Sequence, residues 1–282
     1  MLTKELSLSL INAGLDVLWI SLDGATPERY ADVRLGAALD SVLENLSYFT
    51  EARTEAGIYC ECGPVPRSDL GISFVAMKRN IADLPKVVEI ARRFGAKRLL
   101  VTNVLPYTRE MIDETLYNRV LNIDSSKFLS LPRIDIDETT NLPLYQAVSS
   151  SSGAFSGIGF QSGANHCQFI ENGSAAISWN GGFSPCLPLL HNYTNYLSSL
   201  DGIGEHFSKH WHVGNIQKYN LIKLWNMPNH LAFRKRVQQF SFPLCYGCGG
   251  CDLITKNEED CLGNKFPVCG GCLWAQGVIQ CP

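Results

Sequence analysis

Two spacings of apolar residues alternate along the first hundred residues. Three short apolar runs are typical of buried strands: Val17–Asp23, Leu70–Met77 and Lys97–Val101. Between them, apolar residues recur at helical spacing in two segments that begin near Leu39 and Asp83 and end near Gly57 and Gly95. This alternation of strands and helices predicts an α/β fold with a parallel sheet.

The alternation weakens after Pro106, and a stretch rich in Ser and Gly follows at Ser149–Gly159. Such a composition is typical of a flexible connection between domains. We therefore predict an α/β domain over residues 1–148, a linker over 149–160 and a second domain over 161–282.

The second domain is rich in cysteine. Of the eleven cysteines in the chain, nine lie beyond residue 160: Cys167, Cys186, Cys245, Cys248, Cys251, Cys261, Cys269, Cys272 and Cys281. Cys245, Cys248 and Cys251 follow one another at intervals of two residues, and Cys269-Gly-Gly-Cys272 repeats that interval. The glycines beside these cysteines let the backbone turn several sulfurs toward one centre, so the pattern predicts metal binding.

Composition and charge narrow the class of protein. A net charge of −3 predicts no general attraction to nucleic acid or to an anionic membrane. We find no signal peptide and no apolar stretch of about 20 residues that would span a bilayer, so we expect a cytoplasmic protein. Structural disulfides are rare in that compartment, which leaves metal ligation as the expected role of the cysteines.

Cysteine spacing alone leaves two kinds of metal site open. Zinc sites use four Cys or His ligands for each ion, whereas iron–sulfur clusters prefer four cysteines for each cluster. No histidine follows His230, and nine cysteines suffice for two four-cysteine sites with one to spare. Four earlier histidines lie near the middle of this domain: His191, His206, His210 and His212. Trp211 lies between two of them, which predicts a packed segment, with metal binding as the alternative.

A β-hairpin is predicted between Cys167 and Cys186. The apolar run Ser174–Trp179 meets Asn180-Gly181, and these two residue types accept the positive φ of a tight turn. Such a hairpin would bring the two flanking thiols close together.

These residues resemble the SPASM domain, the twin-cluster C-terminal extension of many radical S-adenosylmethionine (SAM) enzymes. The opening of that domain is similar to the segment Cys167–Cys186, in which thirteen residues separate Cys167 from Gly181 and four separate Gly181 from Cys186. Its connecting segment is similar to Val213–Arg234. The resemblance implies two [4Fe–4S] clusters held by the nine cysteines. In the family, a CxxC pair is usually followed by five residues, Cys, three residues and Cys. Here Cys251 comes after two residues and Cys261 after nine more.

The first domain is similar to the later strands of the radical SAM partial (β/α) barrel. Leu15–Asp23 resembles its fourth strand, Ile72–Asn80 its fifth unit and Arg98–Pro106 its sixth strand. The resemblance implies the C-terminal half of that barrel, followed by the small cysteine-rich domain. The family's CxxxCxxC motif, whose thiolates hold the SAM-binding cluster, has no match before residue 160. We therefore expect a truncated chain, which would use SAM only if a separate N-terminal half supplied the motif.

Four residues of the first domain are predicted SAM contacts: Ser21, Asp23, Arg34 and Asn80. Ser21 and Asp23 end a strand, which is where barrel folds place their sites. Arg34 could meet the carboxylate of SAM through two parallel hydrogen bonds, and Asn80 lies just past the next strand. Ordinary turn and surface roles are the alternative for these residues.

The ending Cys269–Pro282 resembles that of radical SAM maturases associated with tungsten-containing oxidoreductases. The implied function is modification of a tungsten (tungstopterin) cofactor, or of the oxidoreductase that carries it, which would be the partner. Maturases that modify sulfatases or ribosomal peptides are the alternative within the superfamily. A non-catalytic zinc-binding interaction module is the alternative outside it. The sequence identifies no catalytic acid or base.

Overall fold

The parallel sheet predicted for the first domain is present in a computed structural model of the chain. The structure describes residues 2–60, 63–117, 134–151, 157–158, 165–199, 202–245 and 251–281. Contacts divide these residues into two units. The first unit contains the described residues of 1–104, 134–160 and 280–282, and the second unit contains those of 105–133 and 161–279.

The strands of the first unit are β1 (Val17–Ser21), β2 (Ile58–Cys60), β3 (Gly63–Val65), β4 (Asp69–Ala76), β5 (Arg98–Asn103) and β6 (Gly157–Ile158). Four of them form a parallel sheet in the order β1-β4-β5-β6, while β2 and β3 form a separate antiparallel pair. Strand β4 lies inside the sheet and is buried almost throughout. This burial explains why its sequence is a continuous apolar run rather than an alternating one.

The helices of the first unit are α1 (Lys4–Asn12), α2 (Pro27–Val33), α3 (Leu39–Glu55), α4 (Leu84–Arg93) and α5 (Asn141–Ser151). Helix α2 is capped by Thr26, whose hydroxyl accepts a hydrogen bond from the backbone N–H of Arg29. Asp83 precedes α4 but does not cap it. Its carboxylate accepts hydrogen bonds from the backbone of Ala25 and the guanidinium of Arg29 instead, each at 3.1 Å.

One arginine is buried inside the first unit. Arg53, on α3, is 2% exposed. Its guanidinium donates hydrogen bonds to three backbone carbonyls. The partners are Ser68 O at 3.2 Å and the carbonyls of Phe94 and Gly95, both at 2.7 Å. Phe94 and Gly95 follow α4 directly, so this guanidinium joins the ends of two helices.

The second unit is built from short elements. Its strands are β7 (Ala176–Ile177), β8 (Gly182–Ser184), β9 (Tyr193–Ser199), β10 (Gly202–Ser208) and β11 (Gly214–Asn215). Its α-helices are α6 (Gln168–Glu171), α7 (Leu221–Trp225) and α8 (Pro228–Gln238). Strands β7 and β8 form the predicted antiparallel hairpin, in which Gly181 has a φ of +82°. Strands β9 and β10 form a separate antiparallel ribbon.

The described residues therefore have a mixed α/β fold with small sheets. The predicted boundary at 149–160 stays a prediction, because most of that stretch lies outside the described residues. Within it, α5 continues to Ser151 and β6 pairs with β5. The assignment of the parallel sheet to half of a barrel also stays a prediction. None of the helices in the described ranges combines the length and the apolar character needed to cross a bilayer.

Arg53→Met would remove the three hydrogen bonds while keeping a long apolar stem. We expect the free energy of unfolding to fall by about 2–4 kcal/mol, because three carbonyl groups lose a buried donor. Urea denaturation followed by circular dichroism measures this loss. The matched control is Arg79→Met, which removes a surface ion pair of 3.4 Å and should change stability by less than about 1 kcal/mol. Equal losses in the two variants would contradict the role given to Arg53.

Candidate metal centre

Four cysteines from opposite ends of the second unit lie in one apolar region. Cys186 and Cys269 are 8% and 9% exposed, and the partly buried Cys167 and Cys272 pack against the same region. The apolar neighbours come from α6, α8 and the loops around them: Ile170, Leu189, Phe233, Val237, Phe242 and Val268. We refer to Cys167, Cys186, Cys269 and Cys272 as the four-thiol group.

Short helical turns present these sulfurs. Cys167 immediately precedes α6, and its sulfur accepts hydrogen bonds from the backbone N–H groups of Phe169 and Ile170. Cys186 immediately precedes a 3₁₀ turn, and its sulfur accepts a hydrogen bond from the N–H of Leu189. Backbone donors of this kind stabilise a thiolate and orient it, as the outer hydrogen bonds of metal sites do.

Burial controls the ionisation of three members of the four-thiol group, Cys167, Cys186 and Cys269. It raises the pKa of Cys167 to about 11, and the neighbouring sulfur of Cys272 adds to the rise. Burial raises the pKa of Cys186 and of Cys269 well above the ordinary value, again with Cys272 as the next cause. The guanidinium of Arg236 lowers the pKa of Cys269 but is the smaller influence. The thiols of Cys167, Cys186 and Cys269 are therefore neutral at pH 7 until a metal replaces their protons.

A cavity of about 100 Å³ adjoins the four-thiol group, and cysteine is the most frequent residue type along its wall. Seven cysteines line it: Cys167, Cys186, Cys245, Cys251, Cys261, Cys269 and Cys272. Gly270 permits the approach of Cys245, because a Cβ at this glycine would lie 3.0 Å from the sulfur and 2.6 Å from the carbonyl oxygen of Pro243. Cys281 does not line the cavity, and Cys248 lies outside the described residues.

The β9–β10 ribbon forms a polar wall of this cavity. Alternate residues of β9 line it, namely Tyr193, Asn195 and Leu197, and so do His206 and Ser208 of β10. The register explains this arrangement, because Asn195 pairs with His206 and Tyr193 pairs with Ser208. This wall was not predicted from the sequence, in which His206 was expected in a packed segment, with metal binding as the alternative.

A hydrogen-bonded chain runs along the ribbon wall. His206 Nδ1 lies 2.5 Å from the carbonyl oxygen of Ile254, which can only accept, so in the neutral ring Nδ1 carries the proton. His206 Nε2 then accepts from the Ser208 hydroxyl at 3.1 Å. The Tyr193 hydroxyl is hydrogen-bonded to Ser208 in turn, and burial followed by the proximity of Cys272 raises the pKa of Tyr193.

The donor set fits an iron–sulfur cluster. None of the eight cysteines whose side chains the structure describes in the second half of the chain forms a disulfide. Within the described ranges, no three or more His, Cys, Asp or Glu side chains are grouped as a metal-ion site. A [4Fe–4S] cube takes one thiolate at each of four corners and so spreads its ligands more widely than a single zinc ion does.

The four predicted SAM contacts lie in the first unit, and three of them meet. Asp23 is 1% exposed, and one carboxylate oxygen accepts from Arg34 Nε at 2.7 Å and Nη2 at 2.6 Å. The other oxygen accepts from the N–H of Val75 at 2.7 Å. Asn80 donates to the carbonyl oxygens of Asp23 and Val75 at 3.0 and 2.9 Å. Ser21 is separate from this group and lies 3.1 Å from the Ser73 hydroxyl.

Comparison with known families identifies the cysteine-rich segment. Residues 167–252 match the SPASM family, described as an iron–sulfur cluster-binding domain. This segment is therefore similar to SPASM domains. The match begins at Cys167, so the SPASM domain opens at the first of the predicted ligands. The prediction of this domain from cysteine spacing is confirmed.

Similar proteins support the rest of the resemblance. The chain is 27% identical over 288 residues to the tungsten-containing aldehyde ferredoxin oxidoreductase cofactor-modifying protein of Pyrococcus furiosus, and the alignment covers all of this chain and 73% of that protein. It is 24% and 22% identical to probable GTP 3',8-cyclases of two Methanococcus maripaludis strains, over 74% of this chain and 64% of each cyclase. The chain thus spans less than two thirds of these cyclases. The predicted likeness to tungsten-cofactor maturases is confirmed.

Thiol burial makes the stability of the metal-free protein depend on pH. Because the folded pKa of Cys167 is about 11 and its ordinary value is 9.0, the unfolded chain loses this proton first as pH rises. The stabilising contribution is complete below about pH 9 and is lost between about pH 9 and 11. Urea midpoints of the metal-free chain should therefore fall across this range, and less steeply in Cys167→Ala. Parallel curves for the two proteins would contradict the assigned cause.

Proposed function

We propose that the chain is the cluster-binding part of a radical SAM maturase, in which the nine late cysteines provide the ligands for two [4Fe–4S] clusters with one cysteine to spare. By the same proposal, the maturase modifies a tungstopterin cofactor or the oxidoreductase that carries it. The observation that supports this most directly is the four-thiol group, buried among apolar side chains and adjoining a cavity lined by three further cysteines.

The chain's own residues provide three things for a cluster. Cysteine thiols, which burial keeps protonated in the metal-free protein, would lose their protons and become thiolate ligands. Backbone N–H groups of Phe169, Ile170 and Leu189 point at two of the sulfurs. Apolar side chains limit the access of water to this side of the cavity. When bound, a cluster supplies an electron-transfer centre, whose potential depends on hydrogen bonds and burial.

The substrate part of the proposal is supported by the name of the Pyrococcus furiosus relative, which aligns with the whole chain. The first unit is then the later half of a radical SAM partial barrel, and Ser21, Asp23, Arg34 and Asn80 are its proposed SAM contacts. Arg34 already holds Asp23, so it would meet SAM only through donors that this ion pair leaves exposed. Since the sequence contains no CxxxCxxC, SAM cleavage requires a segment that supplies this motif.

Anaerobic reconstitution with iron and sulfide should give a brown protein with about eight irons per chain that bleaches with dithionite. Cys186→Ala should lose about half of this iron, because it removes a central member of the four-thiol group. Cys60→Ala is the matched control, since this cysteine lies outside the SPASM match, and it should keep all the iron. A colourless wild-type protein with stoichiometric zinc would support the zinc-module alternative and refute cluster binding.

A genetic experiment tests the substrate. In a host that makes a tungsten-containing oxidoreductase, deletion of the gene for this chain should leave that enzyme folded but with a cofactor of altered mass. Mass spectrometry of the extracted cofactor measures the difference, and restoring the gene should reverse it. Identical cofactor masses and unchanged oxidoreductase activity in the deletion strain would favour a peptide- or sulfatase-modifying role instead.

A further inference from the structure

Asn195 stands out on the polar wall of the cavity. It lies on the inward face of β9, directly opposite His206 of β10, and it is 2% exposed. Its side chain lines the same cavity as the four-thiol group. A buried polar side chain in this position needs a hydrogen-bond partner, because the surroundings offer it no bulk water.

The amide nitrogen of Asn195 has no such partner. Among the described residues that line the cavity, Asn195 Nδ2 is the one buried side-chain nitrogen or oxygen without a hydrogen bond. Its polar neighbours are satisfied within the protein. His206 contacts the Ile254 carbonyl and the Ser208 hydroxyl, while Asn257 exchanges hydrogen bonds with the backbone of Lys209. The Asn195 amide is thus a donor left for whatever occupies the cavity.

We infer that Asn195 donates a hydrogen bond to a sulfur of the cluster in this cavity and raises its reduction potential. The inference rests on the proposed function, since it requires a cluster to be bound. Reduction adds one electron, and hence negative charge, to the iron and sulfur atoms, so a donor stabilises the reduced form more than the oxidised form. No bond forms or breaks in this step, and the amide keeps its protons. Asn195 is therefore a positioning and tuning residue rather than a ligand.

Redox titration of the full chain with dithionite, monitored by electron paramagnetic resonance, tests this role. The relevant signal is the one that disappears in Cys186→Ala. In Asn195→Leu, which keeps the shape but removes the donor, the equilibrium constant for reduction should fall about tenfold, equivalent to about 59 mV for one electron. The matched control is Thr194→Val on the same strand, whose side chain does not line the cavity and which should leave the potential unchanged.

A spectroscopic signature separates a direct contact from a general loosening of the fold. Electron–nuclear double resonance in H₂O and D₂O should show an exchangeable proton coupled to the reduced cluster, and Asn195→Leu should lose that coupling. If Asn195→Leu does not retain the cluster, Asn195→Asp replaces the donor with a carboxylate of the same shape and should lower the potential further.

The outcomes distinguish the two proposals. A wild-type chain that binds no cluster would refute the proposed function itself. A chain that binds the cluster, but whose Asn195 variants keep both the wild-type potential and the exchangeable coupling, would refute the role of Asn195 and leave the proposed function intact.

Discussion

The packing of four cysteines against one apolar cluster is the constraint on which the second unit depends. A neutral thiol tolerates such surroundings as a small apolar group does, whereas a thiolate does not unless a metal shares its charge. Burial raises the pKa values of Cys167, Cys186 and Cys269, so the folded protein favours their neutral, protonated form. A bound metal would replace the protons of these thiols, and the backbone N–H groups beside Cys167 and Cys186 would stabilise the resulting thiolates.

The features that local sequence patterns predicted are those set by neighbours in the chain. Apolar runs identified three of the four parallel strands, β1, β4 and β5. Asn180-Gly181 identified the hairpin turn, in which Gly181 has the positive φ that glycine accepts most readily. Cysteine spacing identified the metal-binding region, since the four-thiol group contains one CxxC pair and the two cysteines that flank the hairpin.

The features that the sequence did not predict depend on contacts between distant segments. Asn195 and His206 are polar residues on the buried face of a ribbon, so their alternation with other residues resembles that of an exposed strand. Arg53 lies on the apolar face of α3, and only the carbonyl groups after α4 explain its burial. Asp23 and Arg34 were predicted as SAM contacts from their positions in the sequence, whereas in the structure they form an ion pair with each other.

The positions of the four-thiol group in the chain have a consequence for folding. Cys167 and Cys186 lie near the beginning of the 161–279 segment of the second unit, and Cys269 and Cys272 lie near its end. A cluster bound by all four would act as a cross-link that closes a loop of about a hundred residues, and a covalent link over such a loop removes roughly 4–5 kcal/mol of freedom from the unfolded chain. Iron supply would then decide how long newly made copies persist in the cell, because copies without a cluster would open more readily to proteases.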